Sequence, residues 1–496
     1  MNQTRSVFIP FDTSYARLPE RFFSRSTPLH VEAPRLIRLN DRLAQDLGLD
    51  PQALSSSEGI AILSGNKVVE GSAPIAMAYA GHQFGNFVPK LGDGRALLLG
   101  EVLDRWGKRW DIHLKGSGRT PFSRSGDGRA AVGPVLREYI VSEAFAALGI
   151  PTTRALAALE TGEWVYREAP LPGAIFVRLA SSHIRVGTFE FFAARKDEEA
   201  LRLLADYVID RHYPDLRKRS EPYRDLLAEV LQRQAHLIAR WMLIGFIHGV
   251  MNTDNTSISG ETIDFGPCAF MDAYHPATVF SSIDHGGRYS YANQPAIAQW
   301  NLVRFAETLL PLLASDFKDS KRIAHEVIES FPSAFRKEIS EGYARKIGLD
   351  PFEPSDVSLF EDLLTAMAQG KADFTLVFRQ LCDVVEKGEA EERFKYLFSD
   401  TKIPADWLQR WRKRLETKMG SPEERAHRMR LVNPVLIPRN HQIEKAIQQA
   451  ITHQNFRPFH RLVEALAHPF DGREDIEDLT KPPQPEEIVH QTFCGT

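Results

Sequence analysis

His248-Gly249-Val250-Met251-Asn252-Thr253-Asp254-Asn255, followed by Asp264-Phe265-Gly266, is the stretch on which the reading of this chain turns. It begins where a long 3.6-period stripe, Leu227, Val230, Leu231, Leu237, Ile238 and Trp241, comes to its end. The periodicity predicts a buried helix feeding an irregular, Gly- and Asp-rich loop, with a short hairpin turning at Ser259-Gly260 before Asp264. Taken alone, Asp-Phe-Gly is a turn tripeptide and His248 a core histidine. Taken in order, Asn255 and Asp264 present an amide oxygen and a carboxylate on adjacent loops. That pair suits a hard cation that keeps its waters and bridges nucleotide phosphates.

Working outward, the apolar run Ala96 to Leu103 enters a turn at Asp104-Arg105-Trp106-Gly107. The returning strand alternates Trp110, Ile112 and Leu114 with Asp111, His113 and Lys115, which predicts a hairpin with one polar face. Ahead of it lies Leu91-Gly92-Asp93-Gly94-Arg95, a glycine turn whose backbone can approach a phosphate and which is also an ordinary tight turn. After it, a helix from about Pro134 to Gly149-Ile150-Pro151 carries Glu138 and Glu143, and a strand follows from Ala174 to Leu179. Glycine loop, strand lysine, helix glutamate, then Asn and Asp-Phe-Gly is the order found in protein kinases. One position departs from it. Kinases carry an Asp five residues before the metal-binding Asn, and here that residue is Val250. Asp254, beside Asn255, can accept a proton from a hydroxyl nucleophile, help hold metal, or simply cap the loop.

Two cationic clusters have no kinase counterpart. Arg119, Arg124 and Arg129 surround Gly126-Asp127-Gly128, and Arg178 precedes Ser181-Ser182-His183-Ile184-Arg185. With 61 basic and 65 acidic residues and a formal charge of -4, nothing drives the whole chain toward nucleic acid or an anionic membrane. An anion must therefore be held locally, and these arginines fit either that task or a solvated face.

At 496 residues the chain exceeds a single small binding module, and 43% hydrophobic with 25% charged residues matches a globular protein with a large core. Cys268, Cys382 and Cys494 have neither disulfide-framework nor zinc spacing, which points to a reducing compartment. The N-terminus shows no apolar signal core, and the longest apolar stretch, Trp241 to Met251, is too short to span a bilayer, so a cytoplasmic location is expected. Residues 1 to about 70 read as a lead-in with one amphipathic helix around Leu36 to Leu47. Helices dominate from Leu227 to the region of Trp411, and the Pro-rich, acidic stretch Asp471 to Thr496 reads as an extended or mobile tail.

Beyond these motifs, several long strings resemble the selenoprotein O family of protein adenylyltransferases. They are Ala78-Tyr79-Ala80-Gly81-His82-Gln83-Phe84-Gly85, His248 to Asn255, Asp264-Phe265-Gly266-Pro267-Cys268, Asp284-His285-Gly286-Gly287-Arg288-Tyr289-Ser290-Tyr291, and Pro438-Arg439-Asn440-His441. The resemblance implies a pseudokinase-like fold that holds ATP in a flipped orientation, so that AMP passes to protein hydroxyls. It further implies ATP with Mg2+ or Mn2+, and protein substrates as partners, with neither nucleic acid nor membrane. By position, Gly92, Gly94 and Arg95 would contact nucleotide, while Lys115, Asp127, Gly128, Arg178 and Arg185 would engage ATP and its phosphates. Glu138 would pair with Lys115, Asn255 and Asp264 would bind metal, and Asp254 would be the proton acceptor. Cys494 stands near the place of the family's selenocysteine, and either a redox contact with Cys268 or a thiol without consequence follows from that.

The expected fold is α+β and protein-kinase-like, with a lead-in over 1-70, an N-terminal lobe over 71-180, a helical lobe over 181-345 and a helical C-terminal extension over 346-496. The expected activity is transfer of AMP from ATP to Ser, Thr or Tyr. An ordinary phosphotransferase and a catalytically inactive nucleotide-binding scaffold are the rivals. Val250 speaks against the first, and the joint presence of Lys115, Asp254, Asn255 and Asp264 against the second.

Overall fold

A computed structural model describes residues 7-493 as a mixed α/β architecture. Its sheet is antiparallel, in the order Phe23–Arg25, Ile75–Met77, Ala96–Leu103, Arg109–Lys115, Pro170–Ala180, Arg154–Tyr166 and Arg35–Leu39, with the short strand Ala130–Ala131 paired to Pro170–Ala180. The predicted hairpin is its centre: Ala96 faces Lys115 across it, and Phe176 flanks Lys115 on the other side.

Both edges of the sheet come from the lead-in. The helix expected around Leu36 to Leu47 is therefore half a strand: Arg35–Leu39 pairs with Arg154–Tyr166, and only Asp41–Asp46 is helical. Asn40 marks the change, its side chain accepting a hydrogen bond from the Leu43 N–H at 3.2 Å. The apolar spacing allowed either structure, and a partner strand distant in sequence decided between them.

The polar face of the hairpin is not a wet face. Asp111 is 2% exposed and His113 0%, because helices and loops cover that side of the sheet. Asp111 pairs with Arg211, His183 hydrogen-bonds Asp111 at 2.9 Å, and the His113 and His183 rings stack at 4.1 Å. The helix Val132–Ala147 packs on Arg154–Tyr166 and Pro170–Ala180, and the C-terminal helices Asn440–His453 and Arg457–Leu466 pack back onto it.

The stripe Leu227 to Trp241 lies within the helix Pro222–Leu243, and all its members are buried. Among the described residues no helix is long and apolar enough to cross a membrane. The segment after it is irregular, with one short turn at Thr253–Asn255. The expected hairpin at Ser259-Gly260 does not form a ladder: Ser257 bridges to Arg185 and Thr262 to Thr152, so its two arms are held by different neighbours.

The tail is tied down where it was expected to be loose. Arg439 donates to the Thr480 carbonyl at 2.9 Å, Arg461 pairs with Asp478 at 2.6 Å, and the Thr492 hydroxyl donates to the Pro267 carbonyl at 2.5 Å. Cys494 lies outside the described residues. Cys268, next to Pro267, is fully buried, and burial pushes its thiol up to about 12.

Candidate active site

Four segments remote in sequence meet at Asp264. The strand Arg109–Lys115 ends by delivering Lys115, whose ammonium lies 2.5 Å from Glu138 Oε2 and 3.1 Å from Asp264 Oδ1. The helix Val132–Ala147 supplies Glu138, buried against the sheet. The strand Pro170–Ala180 supplies Arg178, which donates to Asp264 Oδ1 at 2.7 Å and to Glu138 Oε1 at 3.0 Å. Arg185, at the N-terminal end of the helix Val186–Ala193, donates to Asp264 Oδ2 at 3.4 Å and to the Asp254 carbonyl at 3.0 Å, with its guanidinium 4.4 Å from the Tyr79 ring.

Burial by itself would raise the Asp264 pKa, but Arg178, Lys115 and Arg185 outweigh it and hold the carboxyl well below the usual range. Asp264 takes a φ of +62°, a conformation costing roughly 1–2 kcal/mol for a side-chain-bearing residue, which the surrounding cations and the anchored Phe265 sustain. Phe265 is that anchor, its ring 5.2 Å from Phe145 and 6.3 Å from Phe246.

Asp254 sits in a contrasting environment. Burial pushes its pKa up to about 6, against the lowering effect of Gln83 and Arg185. Gln83 Nε2 donates to its Oδ2 at 3.2 Å, while Oδ1 is buried with no hydrogen-bond partner. Two carboxylates thus stand in one site with opposite proton affinities, the arrangement by which acid–base roles are divided. Asn255 donates its amide N–H to the Val250 carbonyl at 2.9 Å, which orients the side chain and leaves its amide oxygen as the atom to offer a cation. Val250 is itself buried.

The two glycine loops are packed on one another. Gly92 has φ +70°, and a Cβ there would stand 2.2 Å from the Phe122 ring, while at Gly94 it would stand 2.9 Å from the Phe122 carbonyl. Thr120 donates to the Asp93 carbonyl at 2.6 Å and Ser123 to that of Gly94, so the loop carrying Arg95 is braced by the loop carrying Asp127 and Gly128. Gly128, at φ +72°, would put a Cβ 2.1 Å from the Gly118 carbonyl. Asp127 pairs with Arg167 at 2.8 Å and accepts the Arg129 N–H at 2.9 Å rather than joining the Asp264 cluster. Arg129 donates to the His30 carbonyl at 2.9 Å and pairs with Glu163 at 3.1 Å.

Several residues of the site stand in stretches singled out in the sequence but were given no role of their own there. Asp93, inside the glycine turn, accepts from the Met77 N–H at 3.0 Å and from His113 at 3.3 Å, and His113 in turn meets Arg178 at 3.3 Å. Tyr79 supports Arg185, and Gln83 reaches Asp254. Each acts through a contact that spacing along the chain does not encode.

A buried carboxylate ringed by cations thus stands beside a second buried carboxylate of raised proton affinity, an arrangement suited to holding a polyanion. The particular family is given by comparison. The family model described as protein adenylyltransferase SelO matches residues 6–467. The chain is 58% identical over 491 residues to protein nucleotidyltransferase YdiU of Bradyrhizobium sp. (strain ORS 278), covering 99% of this chain and 100% of that one. It is 57% identical over 491 residues to the protein of that name from Rhodopseudomonas palustris (strain HaA2), with the same coverage. Against that of Rhizobium etli the identity is 58% over 486 residues, 98% of this chain and 97% of the other. The chain belongs to the SelO family of protein adenylyltransferases, and its activity is AMP transfer to proteins.

Proposed function

We propose that the chain adenylylates Ser, Thr or Tyr hydroxyls within a kinase-like pair of lobes, 71-180 and 181-345, flanked by the lead-in and the C-terminal extension. The observation that carries the assignment of roles is the convergence of Lys115, Arg178 and Arg185 on Asp264, next to an Asp254 oxygen that is buried and unpartnered.

In this reading, Lys115, Arg178 and Arg185 bind the polyphosphate, with Glu138 holding Lys115 and Arg178 in place. Gly92, Gly94 and Arg95 line the nucleotide from one loop, and Asp127 and Gly128 from the other. The hydroxyl oxygen of the acceptor forms a bond to the α-phosphorus, the bond to the bridging oxygen breaks, and pyrophosphate leaves with that electron pair. Asp254 takes the hydroxyl proton on its carboxylate, and a pKa of about 6 suits a base working near neutrality. The arginines neutralise charge that develops on the departing pyrophosphate.

The donor chemistry suits Mg2+ or Mn2+, which the ionised carboxylate of Asp264 and the amide oxygen of Asn255 would hold. When bound, the cation lowers the electrostatic cost of bringing an oxygen nucleophile to a polyanion.

The test is paired labelling. Protein-bound label from ATP marked at the α-phosphate, and none from ATP marked at the γ-phosphate, is the expected result; label from the γ-position alone would make the chain a phosphotransferase.

A further inference from the structure

The short hairpin of Gly81–Gln83 and Asn86–Val88 has no part in the mechanism above, yet it forms one wall of the Asp254 pocket. A Cβ built on Gly81 would stand 2.6 Å from Asp254 Oδ1 and 2.9 Å from its Cβ, so the carboxylate rests directly on bare backbone. Two residues on, Gln83 occupies Oδ2. The hairpin is itself pinned to the loop that carries Asp254. The His82 N–H donates to Thr253 Oγ1 at 2.7 Å, the Thr253 hydroxyl donates to Glu190 at 2.5 Å, and the His82 ring meets the other Glu190 oxygen at 2.5 Å. The Phe84 N–H donates to Asn252 Oδ1 at 3.1 Å, an oxygen also held by the Tyr289 hydroxyl at 2.6 Å. Ala80 is tied through its N–H to the Gly187 carbonyl at 2.9 Å, on the helix that begins beside Arg185.

We infer that this hairpin is a positioning element for the reaction: Gly81 fixes where the Asp254 carboxylate stands, and Gln83, bonded to Oδ2, fixes its rotation. A side chain at 81 would force the carboxylate to rotate or retreat, and loss of the Gln83 amide would free the carboxylate to rotate. Misplacement of a reacting group by about 1 Å costs on the order of 100-fold in rate without any loss of ground-state binding. The inference rests on Asp254 being the proton acceptor.

The experiment is a double-mutant cycle on the full chain, measuring transfer of α-labelled AMP to casein as a hydroxyl-rich acceptor, with KM for ATP and the melting temperature recorded for each variant. Gly81→Ala is expected to lower kcat about 100-fold and Gln83→Met about 10-fold, with KM for ATP within about 2-fold of the parent. In an Asp254→Asn background neither substitution lowers the residual rate further, because groups that act as a unit are not additive. Unchanged kcat in both single variants, or losses that persist in full in the Asp254→Asn background, overturn the inference. Losses accompanied by matching shifts in KM and melting temperature do the same, since they mark a merely structural hairpin. Should Gly81→Ala not fold, Gln83→Met carries the same test. Full activity of Asp254→Asn alone would instead remove the base assignment, and the inference with it.

Discussion

Arg178 donates from one guanidinium nitrogen to Asp264 Oδ1 at 2.7 Å and to Glu138 Oε1 at 3.0 Å, so a single buried cation joins the sheet, the helix packed on it and the Asp-Phe-Gly loop. Removing it leaves Glu138 facing Lys115, and Asp264 facing Lys115 and the more distant Arg185.

Arg178→Met is therefore expected to destabilise the protein by about 3–5 kcal/mol, the cost of breaking a buried ion pair from one side. Urea unfolding monitored by tryptophan fluorescence measures it. A loss under about 1 kcal/mol would mean that water enters the site and solvates the two acids.

Asp264→Ala is expected to abolish transfer and to remove the part of nucleotide binding that depends on added Mg2+, because water does not replace a charged ligand in strength. Metal-free nucleotide binding should survive, since Lys115, Arg178 and Arg185 each lose one carboxylate partner, Lys115 and Arg178 keeping Glu138, and stay available to phosphates. Titration calorimetry with and without Mg2+ separates the two contributions. Full activity of the variant with Mg2+ would sink the assignment.

Asp254→Asn preserves shape and removes the proton acceptor. Turnover is expected to fall by roughly 100- to 10,000-fold with nucleotide affinity almost unchanged. Collapse of Mg-ATP affinity together with turnover would make Asp254 a metal ligand instead.

Burial, reinforced by neighbouring cations, drives the pKa of His183 and of His212 down to about 3. A base whose folded pKa is depressed stays neutral in the fold while the unfolded chain protonates from about pH 6.5, so stability falls as pH drops below that value and goes on falling toward pH 3. Each of the two should cost about 2 kcal/mol between pH 7 and pH 5. His212→Gln, which can keep the hydrogen bond to Ser182, should flatten the pH slope of unfolding free energy by one proton's worth. An unaltered slope would show that His212 already titrates in the folded protein.

The residues proposed to carry the chemistry were legible as a linear order. Lys115, Glu138, Asn255 and Asp264 stand in a kinase-like order whose residue types suit phosphate and a hard cation, Arg178, Arg185 and Asp254 took their expected roles from the family resemblance, and the helix ending before His248 announces itself by its own period. Such features are local, because a 3.6-residue repeat or a glycine turn is written within one stretch of chain.

What the tertiary structure alone decided is which remote groups touch. It made Arg35–Leu39 a strand by giving it a partner in Arg154–Tyr166, buried Asp111 and His113 by covering their face, and tied Thr492 to Pro267. It also set Gly81 against Asp254 and gave that carboxylate an affinity for protons opposite to that of Asp264. The reason is physical: backbone pairing, desolvation and Coulomb interaction depend on distance in space, and two aspartates with the same side chain acquire opposite proton affinities only when the fold surrounds one with cations and the other with bare backbone.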